Sequence, residues 1–308
     1  MSQEQVSLEV ELAGLSLRNP IILASGILGH SAEVFERIYE GGASAVVGKS
    51  ISLLPRDAYK PPALVEVRGG FLNAIGLGNP GAEAFVQELK KLSARKIPVI
   101  ANMFGSDPED FVKMTKMLDS AGALAFELNL SCPHVGGVGT EVGQDPKLVA
   151  KIVSATKRNT SKPVFAKVSP SSEILLQTVK AAEDAGASGI TATNTIRAMA
   201  IDVESGMPYL SNRYGGLSGE ALHSIAVRCV YEIAEHTRIP IIGCGGVVDW
   251  EGAVEFILAG ASAVQIGTVL ANRALGTIQE ILNGIEGYMV RKGYTRVSDF
   301  VGLAHSPK

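Results

Sequence analysis

Cys132 is the residue of this chain best placed to do chemistry. It lies in Phe126-Glu127-Leu128-Asn129-Leu130-Ser131-Cys132-Pro133-His134, where an apolar run of strand character passes into a polar, thiol-bearing turn. The segment that follows, Val135 to Gly143, is dense in glycine and reads as a mobile loop that can gate the thiol. A buried structural cysteine is the alternative, because free cysteine is among the most buried residue types.

Other polar residues follow short apolar runs in the same way: Ser25, Lys49, Asn102, Asn129, Lys167 and Asn194. A single Asn or Lys there is ordinarily a turn residue. Six of them in register across six units imply one shared pocket. After the last two apolar runs come Gly245-Gly246 and Gly267-Thr268, whose backbone N–H groups can cradle a phosphate without obstruction. A phosphorylated cofactor or substrate is implied. The carboxamides Asn73, Asn129 and Asn194 match the edge of a planar imide or amide heterocycle, and Lys167 would put positive charge beside an electron-accepting ring. With no metal-like His/Asp/Glu cluster in that pocket, the chemistry rests on an organic cofactor, with Cys132 as general base. A flavin-free lyase that uses Lys167 as a Schiff-base nucleophile is the competing reading.

Positioning these residues takes a repeated strand-turn-helix unit. Strands are predicted at 20–24, 43–47, 97–101, 124–128, 164–166, 189–192, 239–242 and 263–266, with helices at 31–40, 82–92, 108–120, 146–159, 172–184, 218–236 and 250–259. Connectors such as Ala121-Gly122-Ala123 and Ala185-Gly186-Ala187 place a permissive glycine before the next strand. The pattern is α/β, a (β/α)8 TIM barrel in one domain over 1–308. A hairpin around Gly14, from Val6 to Arg18, precedes it. An open doubly wound sheet is disfavoured, because no Gly-x-Gly-x-x-Gly turn follows the first strand. Two connections, Ile51 to Gly81 and Ile196 to Gly216, are too long for plain loops and elaborate the catalytic face, the second with a hairpin over 201–210.

With 308 residues, 46% hydrophobic and 19% charged, the chain has ample material for a core. A net charge of −3 and no basic run argue against a nucleic-acid binder. The three cysteines (Cys132, Cys229, Cys244) form no CxxC pair, which suggests neither a disulfide framework nor a zinc site and fits a reducing cytoplasm. Neither a signal peptide nor a membrane span is expected from the residue pattern. Cys229 is expected in the core, and Asp249 as the cap of the helix that opens at Trp250. His223, His236 and His305 are expected in solvated or capping roles.

Taken together, Asn73-Ala74-Ile75-Gly76-Leu77, Asn129-Leu130-Ser131-Cys132-Pro133, Ala166-Lys167, Asn194-Thr195, Gly215 to Gly219 and Gly243-Cys244-Gly245-Gly246 resemble the class 1 dihydroorotate dehydrogenases over essentially the whole chain. The resemblance implies an FMN-dependent oxidation of dihydroorotate to orotate in pyrimidine synthesis. In it Cys132 takes the C5 proton and the C6 hydride passes to FMN. By the same resemblance, Lys49, Asn73, Ala74, Ile75, Gly76, Leu77, Asn129, Asn194 and Thr195 hold the substrate. Ser25, Lys49, Ser50, Asn102, Asn129, Lys167, Thr193, Gly219, Gly245, Gly246, Gly267 and Thr268 hold FMN.

The run Val65 to Leu77 is similar to subclass 1B, whose catalytic subunit works with a partner that carries FAD and a 2Fe-2S cluster and passes electrons to NAD. A homodimer, or a heterotetramer with such a partner, is implied. The wording Cys132-Pro133-His134, with Gly143-Gln144-Asp145-Pro146, is also similar to the dihydropyrimidine dehydrogenases, because His134 stands where many class 1 enzymes carry asparagine.

Overall fold

The computed structural model describes residues 6–29, 31–105, 107–130, 142–170 and 173–306. Eight parallel strands close into a barrel. They are β1 (Ile21–Leu23), β2 (Ala45–Val47), β3 (Val99–Met103), β4 (Ala125–Asn129), β5 (Val164–Val168), β6 (Gly189–Ala192), β7 (Ile241–Cys244) and β8 (Ala261–Ile266). β8 pairs with β1 to complete the ring. Almost every strand position is buried, because one face looks into the barrel and the other is covered by helices.

The surrounding helices are α1 (Ala32–Glu40), α2 (Ala82–Ala94), α3 (Pro108–Ser120), α4 (Pro146–Lys157), α5 (Leu175–Asp184), α6 (His223–Ala234), α7 (Trp250–Leu258) and α8 (Gly276–Lys292). Their starts are written locally. Asp107 and Asp145 accept from backbone N–H groups of the first turns of α3 and α4, each followed by a proline at the first helical position. Asp249 caps α7 through Gly252 N, as its position before Trp250 suggests. At the other ends Gly122 and Gly186, with φ of +99° and +93°, turn the chain from helix into the next strand, a conformation that strains side chains with a Cβ.

Three boundaries shift by three residues or more from expectation, and the other strand and helix ends by two at most. The hairpin is shorter, Val10–Leu12 against Leu15–Leu17, because Ser7 instead bridges to Arg296 and donates its N–H to Thr295 O. The expected helix over 218–236 opens as a tight turn at Glu220–Leu222 and becomes α-helical only at His223. α5 begins at Leu175, since Ile174 caps it, and Ser172 lies outside the described residues.

The two long connections meet. Leu64–Val67 and Gly70–Asn73, from the first, form a four-stranded antiparallel sheet with Ile196–Ala198 and Gly215–Ser218 from the second. Leu72, Ala74 and Leu210 make a small core of their own beneath Tyr59, Val65 and Leu217. The lid over the catalytic face is thus a sheet with its own apolar support, and not a pair of independent loops. The hairpin within the second connection pairs Ile201–Asp202 with Met207–Pro208.

Candidate active site

Within each strand the side chains alternate, so every second residue points into the barrel. In β4 this puts Glu127 one layer below Asn129, and the β5 register sets Lys167 beside Asn129. Asn129 then donates through Nδ2 to Ser50 Oγ at 3.0 Å and accepts at Oδ1 from Asn194 Nδ2 at 3.0 Å. Asn194 Oδ1 in turn accepts from the Thr195 backbone N–H at 2.8 Å. Strand exits far apart in sequence are tied into one polar rim.

These groups line a cavity of about 820 Å³ at the C-terminal end of the barrel. Its size is within the range usual for small-molecule and cofactor sites. Ser25, Lys49, Ser50, Asn73 to Leu77, Asn102, Asn129, Lys167, Thr193, Asn194, Thr195, Gly219, Gly245, Gly246, Gly267 and Thr268 all border it. Cys132, His134 and the glycine-rich loop as far as Glu141 lie outside the described residues. The end of that loop is tied down: Val142 and Gly143 are buried, Gly143 N donates to Leu130 O at 2.7 Å, and Thr178 Oγ1 donates to Gly143 O at 2.7 Å. The expectation of a mobile loop up to Gly143 is corrected there, because burial pairs the backbone of its last residue.

The glycine turns at the barrel mouth fit a phosphate cradle. Gly246 has φ +71°, and a Cβ on it would stand 2.7 Å from His223 N and 2.8 Å from Gly219 O. Backbone therefore crowds this turn on the side where a side chain would be, and its own N–H groups remain the means of binding. His223 supports the turn, with Nδ1 3.1 Å from Gly245 O and Nε2 3.0 Å from Glu255 Oε2. The solvated or capping role expected for it is thus corrected: the ring is mostly buried and edge-on to Phe256. His305 is corrected likewise, stacked on Tyr231 and bonded to Ala259 O. His236 is exposed and reaches only Glu232 O in its own helix.

On the opposite wall, Gly76 and Leu77 both adopt left-handed backbone, with φ of +73° and +60°. Such a conformation is uncommon for leucine and is held here by neighbours: Arg56 Nε donates to Gly76 O at 3.0 Å and Tyr59 N to Ile75 O at 3.0 Å. Asn73 is fixed by Nδ2 donating to Gly216 O at 3.2 Å. The result is a braced turn that borders the cavity.

Lys49 is half-buried, and desolvation lowers its pKa below the ordinary lysine value. An ammonium in that state gains from an anionic ligand. Lys167 differs. It is buried and bonded to Gln265 Oε1 at 3.1 Å and Glu127 Oε1 at 3.5 Å. Burial works against its charge, but the neighbouring Cys244 sulfur and Glu127 carboxylate outweigh it, and its pKa is raised. A Schiff-base lysine needs the free amine, so the lyase reading of Lys167 is overturned by this pairing. Cys244 is also buried, and burial pushes its thiol up, which leaves it protonated and unreactive. Cys229 is buried in the core as expected, its thiol pushed up for the same reason.

Reasoning from strand exits missed Glu127 and Gln265. Both sit one turn of the pleat deeper, inside runs that read as apolar strand. The signal was present in each case as a single polar residue amid buried aliphatics.

A closed (β/α)8 barrel whose catalytic face carries a cofactor-sized cavity, a glycine cradle and a buried lysine has the make-up of a phosphate- and cofactor-binding barrel enzyme. The chain belongs to the dihydroorotate dehydrogenase family, whose sequence model matches residues 7–289. It is 46% identical over 299 residues to the dihydroorotate dehydrogenase B (NAD(+)) catalytic subunit of Pyrococcus furiosus, which covers 97% of this chain and 99% of that protein. The catalytic subunits of the same name from Methanothermobacter thermautotrophicus and Methanocaldococcus jannaschii are 44% and 39% identical over 300 and 302 residues, again 97% of this chain and 98% of each relative. Among the described residues no helix is long and apolar enough to cross a membrane.

Proposed function

We propose that the chain, acting as one barrel unit over 1–308, oxidises (S)-dihydroorotate to orotate with FMN. The reading is carried by the cavity at the barrel mouth, which joins a cradle for a phosphate, a polar rim and a half-buried lysine suited to a carboxylate. Supporting it are the family membership and the names of the relatives, which are dihydroorotate dehydrogenases.

FMN, when bound, supplies the two-electron acceptor for the C6 hydride. The chain supplies the rest. The Gly245-Gly246 and Gly267-Thr268 turns hold the phosphate through backbone N–H groups, with Ser25, Ser50, Thr193 and Gly219 around the cofactor. Lys167 and Asn102, which line the cavity, would hold the ring system. Lys49 pairs with the substrate carboxylate, the Asn73 to Leu77 turn offers it backbone donors, and Asn129, Asn194 and Thr195 hold its amide edge. Cys132 takes the C5 proton as general base.

The relatives are named as catalytic subunits of an NAD enzyme. That name supports a partner polypeptide for this chain through which electrons reach NAD; by the sequence resemblance to subclass 1B, the partner would bear FAD and a 2Fe-2S cluster. A homodimer of the chain within a heterotetramer, in the cytoplasm, completes the proposal.

The test is to purify the chain alone and together with the partner, then assay dihydroorotate oxidation with NAD, fumarate and an artificial dye. Activity with dye, and with NAD only once the partner is added, is the expected result. Direct use of fumarate would overturn the NAD route, and a colourless protein without flavin would overturn the reaction class.

A further inference from the structure

Glu127 has no part in the chemistry above, yet it is wholly buried at the centre of the barrel. Its carboxylate accepts from side chains on four other strands. Asn102 Nδ2 at 2.6 Å and Lys167 Nζ at 3.5 Å meet Oε1, while Gln265 Nε2 at 2.6 Å and Thr191 Oγ1 at 2.9 Å meet Oε2. Asn102, Lys167 and Gln265 border the cavity, and Glu127 lies beneath them.

A carboxylate with four donors around it can only accept, so it dictates how its neighbours turn. Both amides must present their NH2 groups to it. Gln265 is then obliged to aim Oε1 at Lys167 Nζ, which it does at 3.1 Å. Asn102 is obliged to turn its carbonyl away, and that Oδ1 is buried with no hydrogen-bond partner among the described residues. One group thus sets the donor and acceptor pattern of three side chains on the floor.

Stability gives no reason for this arrangement. Well-packed apolar residues usually serve a barrel core as well as, or better than, a buried ion pair. An orphaned carbonyl adds a further cost. A floor arranged for a ligand accounts for both.

We propose that Glu127 is a positioning residue, which fixes the hydrogen-bonding pattern of the cavity floor and supplies the counter-charge that keeps Lys167 an ammonium facing the flavin. This rests on the FMN reading given above. Among the described residues, the titratable groups facing Lys167 are Cys244 and Glu127. Burial pushes the Cys244 thiol up, whereas the Glu127 carboxylate accepts directly from Lys167 Nζ at 3.5 Å, so Glu127 is the counter-charge in hydrogen-bond contact with it. Removing that charge takes away one of the contributions that oppose burial, so the pKa of Lys167 is expected to fall.

The experiment compares wild type, Glu127→Gln, Lys167→Met, the double variant and Thr191→Val, reading FMN affinity by fluorescence quenching and the midpoint potential of bound FMN against pH. A wild type that binds no FMN overturns the underlying reading, whereas a wild type that binds it leaves the variants to decide the role of Glu127.

Glu127→Gln is expected to weaken FMN binding by about tenfold or more, the value of a hydrogen bond to a charged group. It is also expected to add a step to the potential-pH curve, where Lys167 now loses its proton, and that step should vanish in the double variant. In the Lys167→Met background the further change in potential should be small, because the two residues act through one another.

A Glu127→Gln potential that tracks wild type at every pH, or additive shifts in the double variant, overturns the proposal. Should Glu127→Gln fail to fold, Thr191→Val removes one donor from the carboxylate without touching a side chain that borders the cavity. It is expected to weaken FMN binding severalfold, and unchanged affinity and potential in that variant overturn the proposal equally.

Discussion

Asn194 donates its side-chain amide to Asn129 Oδ1 at 3.0 Å, across 65 residues of sequence. The bond ties the exit of β6 to that of β4, and Asn129 passes it on to Ser50 at the exit of β2. Three loops are held in register by one carboxamide. Asn129→Ala should leave the Ser50 hydroxyl and the Asn194 amide without that partner, at a cost of about 1–3 kcal/mol. Turnover should fall much further than the thermal midpoint, since substrate geometry depends on all three loops. Steady-state kinetics beside a melting curve checks this, and equal losses in both would make Asn129 a structural residue only.

Cys132→Ser should keep FMN bound but slow the reduction of the flavin by dihydroorotate strongly near neutral pH, because a serine hydroxyl ionises far less readily than a cysteine thiol and offers far less anionic base. Stopped-flow absorbance reads this directly. Wild-type reduction rates in the variant would remove Cys132 from the mechanism.

Lys49 carries a pH signature. Burial lowers its pKa from the ordinary 10.5, so over the interval between the lowered value and 10.5 the unfolded chain binds more protons than the folded one. Stability from this group therefore rises with pH across that interval. In Lys49→Ala that rise should disappear from the melting temperature of the ligand-free protein, and turnover should drop more than folding suffers. A variant whose melting profile against pH matches wild type would show that the lysine is not desolvated in solution.

Gly246→Ala tests the cradle. The new methyl group would meet His223 N at 2.7 Å and Gly219 O at 2.8 Å, in a backbone conformation already left-handed. A strain of about 1–3 kcal/mol is expected for such a residue, together with loss of FMN on desalting. Full retention of flavin would place the phosphate elsewhere.

Much of this architecture could be read along the chain. The alternation of apolar strands with capped helices is local information: Asp107-Pro108 and Asp145-Pro146 announce helix starts, and Gly122 and Gly186 announce returns to strand. The polar residue after each strand could be read for the same reason, since a parallel barrel puts all its strand exits on one face. Local sequence therefore determined the barrel, the glycine cradle and most of the rim.

The tertiary structure decided what depends on pairing between distant segments. Nothing local says that Gly216 pairs with Asn73, so the lid over the cavity emerges as a sheet only when the two long connections meet. Nor does any local feature assign His223 to the cradle, because its bond runs to Gly245, in the turn after β7. Glu127 shows the same limit most sharply: in the sequence it is one acid in an apolar run, and only closure of the barrel surrounds it with donors from four strands. A buried charge acquires its meaning from its partners, and those partners are chosen by the fold.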